Sequence, residues 1–114
     1  MKRYCQILNL VKDPDLIHKY IEAHSHVWPE IQAGIREVGI LDMQIYHKDG
    51  TLFMICDTVD DFDWIKDNKR LSMLPHQAEW EAYVSTFQGF DPTTPSSSKW
   101  QLMEKIFELD KDDK

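Results

Sequence analysis

The longest regular pattern in the sequence is a run of mostly apolar residues at helical spacing between positions 16 and 38. Recurrence every three or four positions predicts an amphipathic helix with one face turned to a core. Asp13 and Pro14 are suited to cap and begin this helix, and Gly39 to end it. Pro29 disfavours the helical conformation at the residue before it, so we expect a kink or a restart near Trp28. The run consists of Leu16, Ile17, Tyr20, Ile21, His24, Val27, Trp28, Ile31, Ile35 and Val38.

Shorter segments with strand character lie on both sides of this helical region. RYCQILNL at 3–10 predicts a first strand, and residues 41–47 and 52–57 predict a hairpin because KDGT lies between them. Two helical stretches at 59–71 and 74–87, a loop at 89–98 and a last strand, WQLMEKIFEL at 100–109, follow. This order predicts an α+β, ferredoxin-like split βαβ fold whose antiparallel sheet carries helices on one face.

The predicted strands are apolar on both faces. In LFMICD, Leu52, Met54 and Cys56 point to one side, whereas Phe53 and Ile55 point to the other. Helices can cover only one side of such a sheet, so we expect a second copy of the chain to cover the other, as in a homodimer. Residues 1–109 are predicted to form a single domain and the charged residues 110–114 a frayed tail.

The formal net charge of -7 argues against nucleic acid and against membrane surfaces as partners, because both require clustered basic residues. No apolar run is long enough to span a bilayer, and the apolar part of the start, MKRYCQILNLVKD, is too short for a signal peptide. A cytoplasmic location is therefore expected. Cys5 and Cys56 do not form a CxxC pair, and both are expected to be reduced and structural.

His24 is the main candidate for a catalytic group. It falls within the apolar stripe of the first helix, and Tyr20 lies one turn before it on the same face. Aromatic walls around one titratable group are typical of a sugar site, and Tyr20, Trp28 and Trp80 supply such walls. The alternative is a buried histidine that is merely satisfied by one or two hydrogen bonds.

The sequence indicates neither a metal nor an organic cofactor. His24 and His26 are two positions apart, which does not place them on one face of a helix, and no HExxH pattern is present. The chain has only four glycines and no phosphate-binding glycine loop.

Glu79 and Trp80 are weaker candidates in the second helical stretch. Trp80 has the spacing of a core residue beside Tyr83, Val84 and Phe87, and Glu79 has the pattern of a solvent-facing residue. The sequence is compatible with a structural role and with a functional role for both residues.

The sequence resembles the L-rhamnose mutarotase family over nearly its whole length, most densely in YIEAHSHVWPEI and GILDMQIY. This resemblance implies a dimeric α+β barrel that interconverts the anomers of a free 6-deoxy sugar, without a cofactor. It also implies that His24 is the proton donor and that Tyr20 contacts the sugar. Two departures stand out. The family's second sugar-contacting tyrosine is replaced by Met43, with Tyr46 nearby, and its paired tryptophans are replaced by Glu79 and Trp80.

The resemblance favours L-rhamnose as the monosaccharide substrate, with L-fucose as a live alternative because the specificity residues have changed. The base that would take the proton of the anomeric hydroxyl is either Glu79, a bound water or a second hydroxyl of the sugar. Two alternative functions are compatible with the same fold. One is a small cofactor-independent monooxygenase, and the other is a non-catalytic sugar-binding module.

Overall fold

The computed structural model describes residues 1–89 and 99–109. Within these residues, four strands and four helices follow one another in the predicted order. They are β1 (Lys2–Asn9), α1 (Pro14–His24), α2 (Pro29–Glu37), β2 (Ile40–Lys48), β3 (Thr51–Thr58), α3 (Trp64–Ser72), α4 (Gln77–Gln88) and β4 (Gln101–Leu102).

The four strands form one sheet in the order β2-β3-β1-β4. Every neighbouring pair is antiparallel, with Tyr4 opposite Cys56 in the β1–β3 pair and Met43 opposite Cys56 in the β2–β3 pair. This is the strand order of a ferredoxin-like fold, in which β1 and β3 are central. The predicted fold class is therefore confirmed.

The predicted break in the long helical region is confirmed at Pro29. The Oδ1 atom of Asp13 accepts hydrogen bonds from the amides of Asp15 and Leu16, which caps α1. Trp28 has φ -60° and ψ 137°, an extended conformation that the following proline favours. Two separate helices result, and α1 ends at His24.

A two-residue turn joins β2 to β3, as the Asp-Gly pair predicts. Asp49 and Gly50 have φ values of 51° and 83°, which is the left-handed pair of a type I′ turn. The ring of His47 accepts a hydrogen bond from the amide of Gly50 at its Nε2, and Lys12 donates to the carbonyl of Asp49. These contacts hold the hairpin end against the start of α1.

The core lies between one face of the sheet and the helices. It has two parts, and Trp100 and Ile35 contact both of them. The part nearer α1 and α4 contains Leu8, Leu10, Tyr20, Ile31, Leu52, Trp80 and Val84, and the part nearer β2 contains Val38, Ile40, Met54, Cys56 and Phe62.

The opposite sheet face carries the other half of the alternation. Ile7 lies opposite Phe53 and Cys5 opposite Ile55 in the β1–β3 register, and all four side chains are only half-buried. On the same face Arg3 forms a bidentate pair with Asp57 through its Nε and one terminal nitrogen, at 2.7 and 3.0 Å. We call this surface the open sheet face.

The prediction of a ten-residue last strand is wrong in extent. Only Gln101 and Leu102 pair with β1, and the amide of Met103 adds one hydrogen bond to the carbonyl of Cys5. The residues that follow have no regular secondary structure, and Ile106 and Phe107 are 88% and 76% exposed. Alternating apolar residues specify a strand only where a neighbouring layer covers them, and residues 104–109 have no strand partner within the described part of the chain.

The loop predicted at 89–98 lies outside the described residues except for Gly89, and the tail predicted at 110–114 lies outside them entirely. None of the helices in the described ranges is long and apolar enough to cross a bilayer.

Candidate functional site

His24 is the last residue of α1, and its ring is held from one side by its own helix. The Nδ1 atom lies 2.9 Å from the carbonyl oxygen of Tyr20, one turn earlier. A carbonyl oxygen can only accept, so Nδ1 carries a hydrogen in both protonation states. The atom that gains and loses a proton is therefore Nε2.

Burial lowers the pKa of His24 below its ordinary value of 6.5, and the hydrogen bond to the Tyr20 carbonyl opposes this effect. The imidazole is half-buried, so its charged form is poorly hydrated. Lowering the pKa makes the protonated ring a stronger acid, which suits a group that delivers a proton.

Aromatic rings enclose the imidazole on two sides. The Tyr20 ring lies 4.3 Å from it between centroids and is tilted by 34°, while Trp80 of α4 meets it edge to face at 5.6 Å. Trp28 contacts Trp80 at 5.1 Å and stacks on Tyr83 at 5.8 Å, with 20° between the planes. We call these five side chains the ring cluster.

The helix break at Pro29 brings Trp28 into the ring cluster. An uninterrupted helix would keep Trp28 on the continuing face of α1, one turn after His24. Because the chain leaves the helix after His24, the Trp28 ring reaches across to α4 instead. Tyr83 joins it because positions 80 and 83 share one face of α4.

Members of the ring cluster differ in their access to solvent. Tyr20 and Trp80 are 3% and 6% exposed and act as walls that hold the imidazole. Tyr83 is 43% exposed, and Trp28 and His24 are intermediate. Most of the exposed area of the cluster thus belongs to His24, Trp28 and Tyr83.

The hydroxyl group of Tyr20 is part of a buried polar contact. Burial raises the pKa of Tyr20, and a hydrogen bond from the side chain of Gln88, at the end of α4, opposes this rise. Gln88 was not among the residues predicted from the sequence, since a glutamine at a helix end carries no pattern that predicts such a contact.

Two of the sequence candidates lie on β2 but on different faces of the sheet. Met43 packs into the part of the core that contains Phe62, on the helix-covered face. Tyr46 is three positions later, so strand alternation turns it to the open sheet face. There it is 56% exposed and donates a hydrogen bond to Gln44.

The third candidate away from the ring cluster is Glu79. Its side chain is 71% exposed, and its carboxylate lies 3.5 Å from Nδ1 of His76. The residue follows the solvent-facing pattern on α4, although Trp80 beside it is buried. The structure thus brings Tyr20, Trp28 and Trp80 to His24 and leaves Met43, Tyr46 and Glu79 elsewhere in the chain.

Two of the surface clefts in the described part of the chain involve these side chains. A cleft of about 430 Å³ runs between α1 and α4 and is lined by His26, Tyr83 and Phe87 together with Lys19, Glu22 and Ala23. Tyr83 links this cleft to the ring cluster. The other cleft, of about 400 Å³, lies at the hairpin end and includes Tyr46. Within the described ranges, no group of three His, Cys, Asp or Glu side chains is arranged to hold a metal ion.

Known proteins resemble this chain over almost its full length. The profile of the L-rhamnose mutarotase family matches residues 3–109. An L-fucose mutarotase from Xanthomonas campestris pv. campestris is 32% identical over 111 residues, covering 96% of this chain and 89% of that protein. An L-rhamnose mutarotase from Enterococcus faecalis is 25% identical over 99 residues, covering 84% and 89% respectively. The crystal structure of an L-rhamnose mutarotase from Formosa agariphila has a TM-score of 0.73 and 18% identity, covering 96% of this chain and all of that one, and supports the fold.

Proposed function

This chain belongs to the L-rhamnose mutarotase family, and on that basis we propose that it interconverts the α and β anomers of a free 6-deoxy sugar. The enzyme is an isomerase acting on carbohydrates, with L-rhamnose or L-fucose as its substrate. The observation that carries the assignment within the chain is the imidazole of His24, fixed at Nδ1 and enclosed by Tyr20 and Trp80.

We assign the role of general acid to His24. The protonated Nε2 delivers its proton to the ring oxygen of the pyranose, and the bond between this oxygen and the anomeric carbon breaks as the anomeric hydroxyl loses its proton. The open-chain aldehyde rotates about the adjacent carbon–carbon bond and closes on its other face. Closure returns the proton to Nε2, so no redox step is needed. A positioned acid or base contributes about 100- to 10,000-fold to such a reaction.

The base in this scheme is a water molecule. Glu79 was a candidate, but its exposed carboxylate pairs with His76 on the outer side of α4, which argues against direct contact with a sugar held at His24. A water hydrogen-bonded to the anomeric hydroxyl satisfies the proton balance, because it accepts the proton on opening and returns it on closure.

The aromatic residues provide the sugar-binding surface in this proposal. The apolar face and the methyl group of a 6-deoxy sugar pack on aromatic rings, and Trp28 and Tyr83 are the ring-cluster members with exposed area beside His24. Tyr20 contributes one polar contact through its hydroxyl proton, because the hydroxyl oxygen already accepts from Gln88. Trp80 supports His24 from behind.

Anomer exchange measured by saturation-transfer NMR tests this function. We expect catalysed exchange with L-rhamnose, L-fucose or both, and a nearly complete loss in His24→Ala. His18→Ala is the matched control, because His18 is a histidine of the same helix whose side chain is 77% exposed. Unchanged exchange in His24→Ala with an intact fold would remove His24 from the mechanism. Sugar binding without any rate enhancement by the wild-type protein would instead identify a non-catalytic sugar-binding module.

We also propose that the protein is a homodimer formed through the open sheet face. No helix among the described elements covers Ile7, Phe53 or Ile55 on this face, and the apolar side chains of residues 106–109 are exposed beside the sheet. Each chain carries a net charge of -7, so two copies repel each other electrostatically. Burial of the apolar area on this face must therefore supply the attraction between them.

Light scattering coupled to size exclusion tests the dimer. We expect twice the 13.5 kDa mass of one chain for the wild type and a single-chain mass for Ile55→Glu. Ile65→Glu is the control, since Ile65 lies on α3 and is 81% exposed. A wild-type mass of one chain, or a dimer that survives in Ile55→Glu, would contradict this interface.

A cytoplasmic location completes the proposal. Cys5 and Cys56 are both free thiols, and strand alternation places them on opposite faces of the sheet, where they cannot bridge. Free thiols are compatible with a reducing compartment. Fractionation of cells with an antibody against the protein tests this location, and recovery outside the cytoplasmic fraction would contradict it.

A further inference from the structure

Lys99 is a lysine whose ammonium group is buried. The residue is 4% exposed, and its Nζ donates to Oγ of Ser85 at 2.7 Å and to Oε1 of Gln88 at 2.8 Å. Burial lowers the pKa of Lys99, and the negative charge of Glu81 opposes this. A lysine stem is flexible enough to reach water from most positions, so a buried ammonium held by two specific acceptors indicates that those acceptors are being oriented.

The ammonium determines which way the Gln88 amide is turned. A lysine ammonium can only donate, so the oxygen of the amide must face Lys99. The amide nitrogen is then the atom available to Tyr20, and the hydrogen bond from Gln88 acts in the direction expected of a donor, because it favours the phenolate. Donation therefore runs from Lys99 to Gln88 and from Gln88 to the Tyr20 oxygen.

Tyr20, at the end of this chain of hydrogen bonds, contacts the proposed acid. Tyr20 contacts the imidazole of His24 twice, through its ring at 4.3 Å between centroids and through its carbonyl oxygen at 2.9 Å from Nδ1. Gln88 and Ser85 are 2% and 0% exposed, so bulk water does not compete for these contacts.

We infer that Lys99 is a positioning residue, which acts through Gln88 and Tyr20 to hold the imidazole of His24 in its place. Its effect on the reaction rate rests on the proposed mutarotase function, whereas its effect on His24 itself does not. The residue lies 75 positions from His24 along the chain (99 minus 24), and the connection exists only in the folded protein.

Lys99→Met tests the inference, because methionine keeps most of the unbranched, apolar stem of lysine but has no charge and no donor. Without the ammonium, Gln88 is free to turn its amide and Tyr20 loses its fixed partner. We expect kcat for anomer exchange to fall about 10-fold, since small displacements of a catalytic group have effects of this order or larger, with a smaller change in KM. Lys69→Met on the exposed side of α3 is the control and should leave both constants unchanged.

The second readout is the pKa of His24, followed by NMR during a pH titration. A loosened Tyr20 admits water to the imidazole, so we expect this pKa to rise toward 6.5 in Lys99→Met and to stay at the wild-type value in Lys69→Met. Thermal stability alone does not show whether Lys99 positions His24, because replacing a buried charge by an apolar group of similar shape is often neutral or stabilising.

Gln88→Glu separates the contact of Gln88 with Lys99 from its contact with Tyr20. The carboxylate still accepts from Lys99, but it cannot donate to Tyr20 and can only accept the hydroxyl proton of Tyr20, so this hydrogen bond is reversed. We expect part of the loss in kcat to be reproduced while the ion pair keeps the fold intact. Wild-type kcat and an unchanged His24 pKa in Lys99→Met would overturn the inference, as would wild-type kcat in Gln88→Glu. Should the wild-type protein catalyse no anomer exchange, the proposed function fails, and the His24 pKa comparison still decides the role of Lys99.

Discussion

Tyr20→Phe separates the two contributions of this side chain, the ring that packs on His24 and the hydroxyl that accepts from Gln88. Phenylalanine keeps the ring that packs on the imidazole but loses the hydrogen bond from Gln88 that holds this ring in place, so we expect kcat for anomer exchange to fall about 10-fold, as in Lys99→Met. The hydroxyl is lost, which removes the proposed polar contact with the sugar. One neutral hydrogen bond contributes about 0.5–1.5 kcal/mol, so KM should rise roughly 2- to 12-fold.

The effect on stability follows from burial. Gln88 is 2% exposed, so removal of the Tyr20 hydroxyl leaves its amide nitrogen buried with that partner missing. An unsatisfied buried donor costs about 1–3 kcal/mol of unfolding free energy. For a chain of this size, each kcal/mol corresponds to roughly 4–8 °C in Tm. Tyr20→Ala would also remove the ring and should cost more, about 3–5 kcal/mol from the lost packing alone.

Urea unfolding followed by far-UV circular dichroism measures the unfolding free energy, and saturation-transfer NMR at several sugar concentrations measures kcat and KM. Two results would refute the reasoning. A stability of Tyr20→Phe equal to that of the wild type would show that Gln88 does not donate to this hydroxyl. A fall in kcat as large as that of His24→Ala would show that the hydroxyl takes part in the chemical step.

Three further predictions concern backbone strain and pH. Gly50→Ala should lower the unfolding free energy by about 1–2 kcal/mol in urea titrations, because the φ of 83° is strained for alanine while the added Cβ meets only ordinary contacts near 3.5 Å. Gly89→Ala should lower the unfolding free energy by about 3 kcal/mol or more in the same assay, because the φ of 81° is strained for alanine and the added Cβ would also overlap the side chain of Val11. Equal losses for the two variants would contradict this comparison. Because the pKa of His24 is lowered in the folded protein, its contribution to stability is fully present above pH 6.5 and is lost as pH falls through the folded-state pKa. We therefore expect His24→Gln to flatten this part of the stability-versus-pH profile measured by calorimetry. A profile identical to that of the wild type would contradict the lowered pKa of His24.

The helix break illustrates how far local signals reach. Asp13, Pro14 and Pro29 predict where α1 begins and where the helical region restarts, because capping and proline sterics act within a few residues. The Asp-Gly turn is equally local, and its left-handed backbone angles agree with the prediction. From such signals the order of the elements and the ferredoxin-like class could be predicted from the sequence alone.

Signals that depend on a neighbouring layer were less reliable. WQLMEKIFEL alternates like a strand, yet only two of its residues pair with β1, because alternation describes which face a side chain takes and not whether another strand lies beside it. Met43 and Tyr46 were both candidates for one position near the sugar. Because they are three positions apart on one strand, their side chains lie on opposite faces of β2, and only Met43 contacts the core.

The identity of the candidate acid was accessible from the sequence, since His24 lies in an apolar stripe one turn after Tyr20. Its surroundings were not accessible. The Trp80 and Trp28 contacts depend on how α4 packs across α1, and the path from Lys99 through Gln88 to Tyr20 joins residues far apart in the chain. Periodicity and capping are properties of neighbouring residues, and they determine elements. The direction of a hydrogen bond in a buried network depends on which groups folding brings together, and only the tertiary structure decides that.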